Sequence, residues 1–224
     1  MTREGQSAAC QAPVVQLQLM LTEVCCLRCP DCCFQIPKIK YPRHMPVELI
    51  EHVSQFCQGI ERLGIAGGEP LLHPQFGHIA SHLKEWFHPK LLWLCTNAIP
   101  SQWDSHLDDF DYVVATHYTK HSYVNSGTDY EADNTEAIKR LREAYRGQFY
   151  VNEGLHHSRR VRMGSSPCGK ATNGDVILFP DGLLYPCCVG PGIDGATGIP
   201  MTKNWREEIR SVPMPCSDCF FAVP

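Results

Sequence analysis

Three cysteines near the start of the chain are spaced C-x3-C-x2-C, in the stretch T-E-V-C-C-L-R-C-P-D-C: Cys25, Cys29 and Cys32. Thiolates at this spacing can bind three irons of a cubane iron–sulfur cluster, whereas ferredoxin-type clusters take four cysteine ligands. The fourth iron would then be free to bind a substrate or a cofactor. Zinc is the alternative metal, although zinc sites usually show C-x2-C pairs with a second pair further along the chain.

Two further motifs each follow an apolar segment. Gly67-Gly68-Glu69-Pro70 follows Ile60–Ala66, and Thr96-Asn97 follows Leu91–Cys95. Together with the cysteine loop, these motifs resemble the radical S-adenosylmethionine (SAM) family. The resemblance implies that the loop binds a [4Fe–4S] cluster whose unique iron is chelated by the amino and carboxylate groups of SAM. It also implies that the G-G-E-P segment lies along the SAM amino group and that Thr96 and Asn97 belong to the cofactor site.

Two other positions concern contacts with SAM. His117 follows the predicted strand Tyr112–Thr116, where the family often has a polar residue that contacts the ribose of SAM. An ordinary polar loop residue is the alternative interpretation of His117. The chain departs from the family pattern just before the third cysteine, because Asp31 stands where an aromatic residue is usual and Phe34 lies two residues beyond that cysteine.

The composition limits the class of protein. A chain of 224 residues can bury one sizeable core, with a small appendage. The net charge of −4 does not suit a nucleic-acid binder of the strongly basic type. We find neither a secretory signal nor an apolar run approaching the roughly 18 residues of a membrane span.

The cysteine content is high, at 13 residues. A cytoplasmic protein with iron–sulfur ligands explains this number better than a disulfide-bonded secreted protein does. Six cysteines lie outside the proposed ligand sets and are predicted to have no chemistry: Cys10, Cys26, Cys33, Cys57, Cys95 and Cys188.

Strand-like and helix-like segments alternate along the first part of the chain, which is typical of a parallel α/β sheet. Asp133 with Glu136 predicts a capping box at the start of the helix before the fifth strand. Each motif follows the carboxyl end of a strand, where (β/α) folds gather their active-site loops. The resemblance implies a truncated partial (β/α) barrel over residues 1–163. The predicted strands are Val14–Leu21, Ile60–Ala66, Leu91–Cys95, Tyr112–Thr116 and Phe149–Val151.

A second cysteine group follows the change of composition near Met163. Asp175–Phe179 and Leu183–Tyr185 flank Pro180-Asp181-Gly182, which predicts a β-hairpin. The C-x13-G-x4-C…C-x2-C pattern resembles the Twitch module, a shortened SPASM module of radical SAM enzymes. The resemblance implies an auxiliary [4Fe–4S] cluster within residues 164–224. Its ligands would be Cys168, Cys187, Cys216 and Cys219, with Cys188 as the alternative to Cys187 and a zinc ribbon as the alternative site.

The resemblance implies an enzyme that cleaves SAM reductively to a 5′-deoxyadenosyl radical and abstracts a substrate hydrogen. The auxiliary cluster would oxidise the substrate radical, as in an alcohol dehydrogenase for a small molecule. A flavodoxin or ferredoxin would supply the electron. The alternative is a peptide- or protein-modifying enzyme that forms thioether or carbon–carbon bonds or epimerises residues; only 24 residues precede Cys25, which argues against a subtype with an N-terminal leader-recognition domain. A non-catalytic electron carrier or metal-binding module is the hypothesis from another class.

Overall fold

The computed structural model describes residues 14–29, 32, 34–100, 106–118, 133–153, 175–188 and 197–212. These segments form an eight-stranded sheet with the strand order β5-β4-β3-β2-β1-β6-β7-β8. Strands β1 to β6 run parallel, while β7 pairs antiparallel with both β6 and β8. The strands are β1 (Gln16–Met20), β2 (Arg62–Ala66), β3 (Leu91–Thr96), β4 (Tyr112–His117), β5 (Gln148–Glu153), β6 (Asp175–Leu178), β7 (Leu183–Tyr185) and β8 (Ile199–Pro200).

Helices connect most of the parallel strands, as the sequence predicts. The α-helices in the described residues are α1 (Val47–Ser54), α2 (Phe76–Phe87), α3 (Thr135–Ala144) and α4 (Trp205–Glu208). Helix α1 connects β1 to β2, α2 connects β2 to β3, and α3 connects β4 to β5. The N-cap of α3 is Asn134, one residue after the predicted Asp133. Asp133 still takes part at this helix start, because its Oδ1 accepts from the Thr135 amide at 3.0 Å.

The two faces of the sheet differ in character because side chains alternate along each strand. One face packs under the helices as the main apolar core, which includes Leu17, Leu19, Leu63, Ile65, Leu92 and Leu94. The other face carries Gln18, Gly64 and Trp93 in register on β1, β2 and β3. The Trp93 ring covers the surface left open by Gly64 and stacks on Tyr112 with centroids 5.9 Å apart.

The predicted hairpin is present and extends the same sheet. Strands β6 and β7 pair antiparallel around a turn in which Gly182 has a φ of 81°. Strand β6 also pairs with β1 over four positions, from Gln16↔Asp175 to Leu19↔Leu178. The proposed division between residues 1–163 and 164–224 lies outside the described residues and stays a prediction.

Among the described residues, no helix has the length and apolar character needed to cross a bilayer.

Candidate active site

The loop that carries the first cysteines is closed at its base by a short antiparallel pairing. The Met45 amide donates to the Leu21 carbonyl and the Glu23 amide donates to the Arg43 carbonyl, both at 2.8 Å. The buried Glu23 carboxylate accepts from the Arg43 backbone N, Nε and Nη2 at 2.9, 3.0 and 2.8 Å. These bonds hold both ends of residues 24–42 together, and the Glu23 carboxylate raises the pKa of Arg43.

A histidine connects this base to the G-G-E-P segment. His73 directly follows the short 3-10 helix Pro70–Leu72 and is 5% exposed. Its Nδ1 accepts from the Gln75 amide at 3.1 Å, so Nε2 carries the proton and donates to the Met45 carbonyl at 3.0 Å. Burial lowers the pKa of His73, which keeps the ring neutral in this role.

Backbone amides point at two of the loop sulfurs. The Leu27 amide donates to Cys25 Sγ at 3.3 Å. Burial raises the pKa of the Cys32 thiol, while the backbone N–H groups of Ile36, Phe34 and Gln35 lower it. Such donors stabilise a thiolate, which is the form that binds metal.

Cysteines from both predicted ligand sets contact one small apolar cluster. That cluster consists of Met20, Ile36, Ile177, Phe179, Tyr185 and Cys188. Cys25 and Cys32 pack against it from the first loop, and Cys187 packs against it from the end of β7. The structure therefore brings Cys187 close to the first cysteine loop. Cys168, Cys216 and Cys219 lie outside the described residues.

The donor set fits an iron–sulfur cluster in its chemistry. Cys25, Cys29 and Cys32 share one loop, none is buried completely, and two of them face amide donors. In the part of the chain that the structure describes, no three cysteine, histidine, aspartate or glutamate side chains are gathered around one point. Cluster assembly would therefore have to draw these three thiolates together.

The Glu69 carboxylate joins the carboxyl ends of β2 and β3. It is fully buried; its Oε1 accepts from Thr96 Oγ1 at 2.7 Å and the Leu71 amide at 3.2 Å, and its Oε2 accepts from the Asn97 amide at 2.7 Å. Burial raises the pKa of Glu69 to about 7, against the effect of these donors. The G-G-E-P and Thr96-Asn97 motifs are thus bonded directly to each other.

The two glycines of the motif allow its backbone to touch the start of the cysteine loop. The Gly68 amide donates to the Thr22 carbonyl at 2.7 Å, and the Glu69 amide donates to the Val24 carbonyl at 2.8 Å. A Cβ on Gly68 would overlap the Val24 carbonyl, and a Cβ on Gly67 would lie 2.7 Å from the Thr22 oxygen. Close approach of two backbone segments therefore requires glycine here.

Asn97 is fixed at every polar atom and reaches the cysteine loop. Its backbone N–H donates to Glu69 Oε2, and its backbone carbonyl accepts from Asn134 Nδ2 at 2.6 Å. In its side chain, Oδ1 accepts from the Ile99 amide at 2.9 Å. Its Nδ2 lies 3.3 Å from Cys26 Sγ and 3.8 Å from Cys25 Sγ. The two thiols also hydrogen-bond to each other, which raises the pKa of Cys25 and lowers that of Cys26 to about 6.

Sequence reasoning missed Asn134, which is 2% exposed and lies at the start of α3. Its Nδ2 donates to the carbonyls of Asn97 and Thr116, and its Oδ1 accepts from the Tyr118 amide at 2.7 Å. It therefore joins the ends of β3 and β4. Its only sequence signal is an N-cap residue type directly before a helix.

His117 lies at the end of β4, the same edge of the sheet as the other motifs. Its Nε2 is 2.9 Å from Thr135 Oγ1 in the first turn of α3. The predicted cofactor residues, from Gly67 to His117, thus lie at the carboxyl ends of the three neighbouring strands β2, β3 and β4.

No family model and no curated protein matches the chain. Solved structures do match. BtrN in complex with AdoMet and 2-DOIA superposes with a TM-score of 0.50 at 13% identity, covering 78% of this chain and 73% of BtrN. Streptococcus suis SuiB bound to precursor peptide SuiA superposes with a TM-score of 0.53 at 15% identity, covering 92% of this chain and 70% of SuiB. SuiB bound to S-adenosylmethionine superposes with a TM-score of 0.53 at 13% identity, covering 92% of this chain and 71% of SuiB.

At these identities the likeness shows the fold alone. It confirms the predicted fold class, a mixed α/β partial barrel with a mostly parallel sheet.

Gly68→Ala should loosen the cysteine loop, because the added Cβ overlaps the Val24 carbonyl. We expect a folded protein with less bound iron after anaerobic reconstitution, measured as iron per chain. Gly59→Ala is the matched control, because a Cβ there has no neighbour within 4 Å although φ is 73°. Equal iron contents in both variants would contradict the close approach described for Gly68.

Glu69 should make stability depend on pH. Its pKa rises from 4.5 to about 7 on folding, so the protonated carboxyl favours the folded state. The stability advantage of the wild type over Glu69→Gln should therefore shrink, by up to about 3 kcal/mol, as the pH rises from 4.5 through 7. Denaturant unfolding of both proteins across this range measures the difference.

Glu61→Gln is the control for this experiment, because Glu61 is exposed and Lys90 lowers its pKa. Its stability difference should not shrink over the same range. A constant difference between the wild type and Glu69→Gln would show that Glu69 stays ionised when folded.

Proposed function

We propose that this chain is a radical SAM enzyme. The observation that carries the proposal is the direct contact among three motifs that lie far apart in sequence. The Glu69 amide bonds to Val24 beside the first cysteine, the Glu69 carboxylate bonds to Asn97, and the Asn97 side chain reaches Cys25. The shared fold with two proteins solved with SAM bound supports the same conclusion.

The residues of the chain have separate roles in this proposal. Cys25, Cys29 and Cys32 would bind a [4Fe–4S] cluster and leave one iron open for SAM. The remaining site residues would surround SAM: Gly67, Gly68, Glu69, Pro70, Thr96, Asn97 and His117. The bound cluster and SAM would supply one-electron cleavage to a 5′-deoxyadenosyl radical, while the protein supplies orientation and excludes water.

Within the same site, Glu69 has a positioning role. Its carboxylate accepts three hydrogen bonds from the neighbouring segments, so it has little capacity left to bind a ligand. Its part is to hold Asn97 beside the cysteine loop. The backbone of Gly67 and Gly68, rather than the Glu69 side chain, would then be the part of the motif that approaches SAM.

We further propose an auxiliary [4Fe–4S] cluster of the Twitch type, bound by Cys168, Cys187, Cys216 and Cys219. Two observations support it. The β6–β7 hairpin lies next to β1, and Cys187 packs against the apolar cluster that Cys25 and Cys32 also contact. A second cluster anchored at Cys187 would lie near the first and could accept an electron from a substrate radical.

The substrate would be a small molecule that is oxidised as by an alcohol dehydrogenase. A peptide or protein substrate is the second candidate, and the fold likeness to SuiB bound to its precursor peptide over 92% of this chain favours it. An external one-electron donor such as a flavodoxin or ferredoxin would serve either reaction.

Iron content and SAM cleavage test the central proposal. Anaerobically reconstituted protein should bind roughly eight irons and eight sulfides per chain, as two cubane clusters require. Replacing Cys25, Cys29 and Cys32 together with Ala should remove about half of this iron and abolish 5′-deoxyadenosine formation. Chromatography of the reaction with SAM and dithionite measures the product.

The control is Cys57→Ala, because Cys57 is fully buried and its Sγ contacts Met201 Sδ at 3.8 Å. It should keep full iron content and SAM cleavage. Full iron content without any SAM cleavage in the wild type would instead favour an electron carrier. Zinc in place of half of the iron would indicate a zinc ribbon at the second site.

The auxiliary cluster predicts uncoupled turnover when it is lost. Cys216→Ala or Cys219→Ala should reduce product formation much more than SAM cleavage, because the substrate radical would lose its electron acceptor. The ratio of 5′-deoxyadenosine to oxidised product, near one in the wild type, should rise. A redox-neutral product, or SAM regenerated in each turnover, would rule out the oxidation and favour an epimerase, mutase or lyase.

A further inference from the structure

The C-x3-C-x2-C pattern assigns no role to Cys26, yet this residue lies inside the candidate site. It is exposed, and its Sγ lies 3.3 Å from Asn97 Nδ2 and 3.6 Å from Asn97 Oδ1. The same Nδ2 is 3.8 Å from Cys25 Sγ. The two adjacent sulfurs therefore share one amide donor, at the point where a predicted iron ligand meets a predicted SAM-site residue.

The Asn97 side chain supplies the amide donor that the two sulfurs share. It is 6% exposed, and its oxygen accepts from the Ile99 amide. Within the described residues, the hydrogen bonds of Nδ2 go to the sulfurs of Cys25 and Cys26 alone. A buried amide donor directed at two sulfurs suits thiolates that bind a metal, since hydrogen bonds to ligand sulfurs are part of how proteins tune such sites.

Cys57 shows the contrast expected of a structural thiol. It is fully buried, and its Sγ contacts the thioether of Met201 rather than an amide donor. Cys26, by comparison, is accessible and is held next to Cys25. Cys26 therefore differs from a packing thiol both in its exposure and in its polar contact with Asn97.

We propose that Cys26 binds the open iron of the first cluster when SAM is absent, and that SAM displaces it. This inference rests on the proposed function. When SAM binds, the bond from iron to Cys26 Sγ would break, the Cys26 thiolate would take up the proton that the SAM ammonium group loses, and the amine and carboxylate of SAM would bind that iron. No electron is transferred in this exchange. Cys26 would thus protect the fourth iron from loss until the cofactor arrives.

The test compares the wild type, Cys26→Ser and Cys33→Ser, each reconstituted anaerobically as the full chain with ⁵⁷Fe. Cys33 is the matched control because it follows Cys32 in sequence as Cys26 follows Cys25. Each protein is treated with limiting ferricyanide, with and without saturating SAM. The electron paramagnetic resonance signal of the [3Fe–4S]⁺ product measures the loss of the fourth iron.

Without SAM, Cys26→Ser should give a signal several-fold larger than that of the wild type, and Cys33→Ser should match the wild type. With SAM bound, all three proteins should be protected equally. Cys26→Ser should also bind SAM several-fold more tightly, because no thiolate has to be displaced. Mössbauer spectra of the SAM-free wild type should show sulfur ligation at all four irons of the first cluster, a readout that needs no variant.

Equal [3Fe–4S]⁺ signals from the wild type and Cys26→Ser without SAM would overturn the proposal. So would oxygen or nitrogen ligation at one iron of the SAM-free wild type. If Cys26→Ser lost the first cluster while Cys25→Ser kept it, Cys26 would be a primary ligand, and the proposal would be wrong. These failures leave SAM cleavage by the wild type intact, whereas the absence of that cleavage would overturn the proposed function itself.

Discussion

The buried carboxylate of Glu69 is the interaction on which the candidate site depends. It accepts hydrogen bonds from Leu71, Thr96 and Asn97, so it fixes the segments that leave two neighbouring strands. A buried carboxylate without such donors would be strongly unfavourable, which ties the position of each segment to the others. Asn97 can reach the cysteine sulfurs only because its backbone is held in this way.

The cysteine loop is positioned by backbone contacts more than by its own cysteines. Its base is closed by the pairing around Thr22 and His44, and the ion pair of the buried Glu23 with the exposed Arg43 reinforces that closure. Because Gly68 has no side chain, the segment that follows β2 can hydrogen-bond directly to the start of the cysteine loop. A long loop held at its base can rearrange locally around a bound cluster while its two ends stay fixed.

The position of the hairpin relates Cys187, one member of the predicted second cysteine group, to the first cysteine loop. Because β6 pairs with β1 and β7 pairs with β6, the hairpin extends the sheet on the side of the strand that leads into the cysteine loop. Phe179 and Tyr185 from the hairpin pack with Met20 from β1 in the apolar cluster that Cys25, Cys32 and Cys187 all contact. Apolar side chains around these three cysteines limit the access of water to their sulfurs.

The sequence by itself determined the alternation of strands and helices, the hairpin turn at Gly182 and the identity of the three motifs. Those features are local, since they depend on residue periodicity, turn residues and the spacing of cysteines. Only the tertiary structure revealed that Asn134 joins two strands and that Asn97 faces Cys26. These contacts join residues far apart in the chain, and they depend on strand register and on which backbone groups each parallel strand leaves unpaired at its end, which no local pattern encodes.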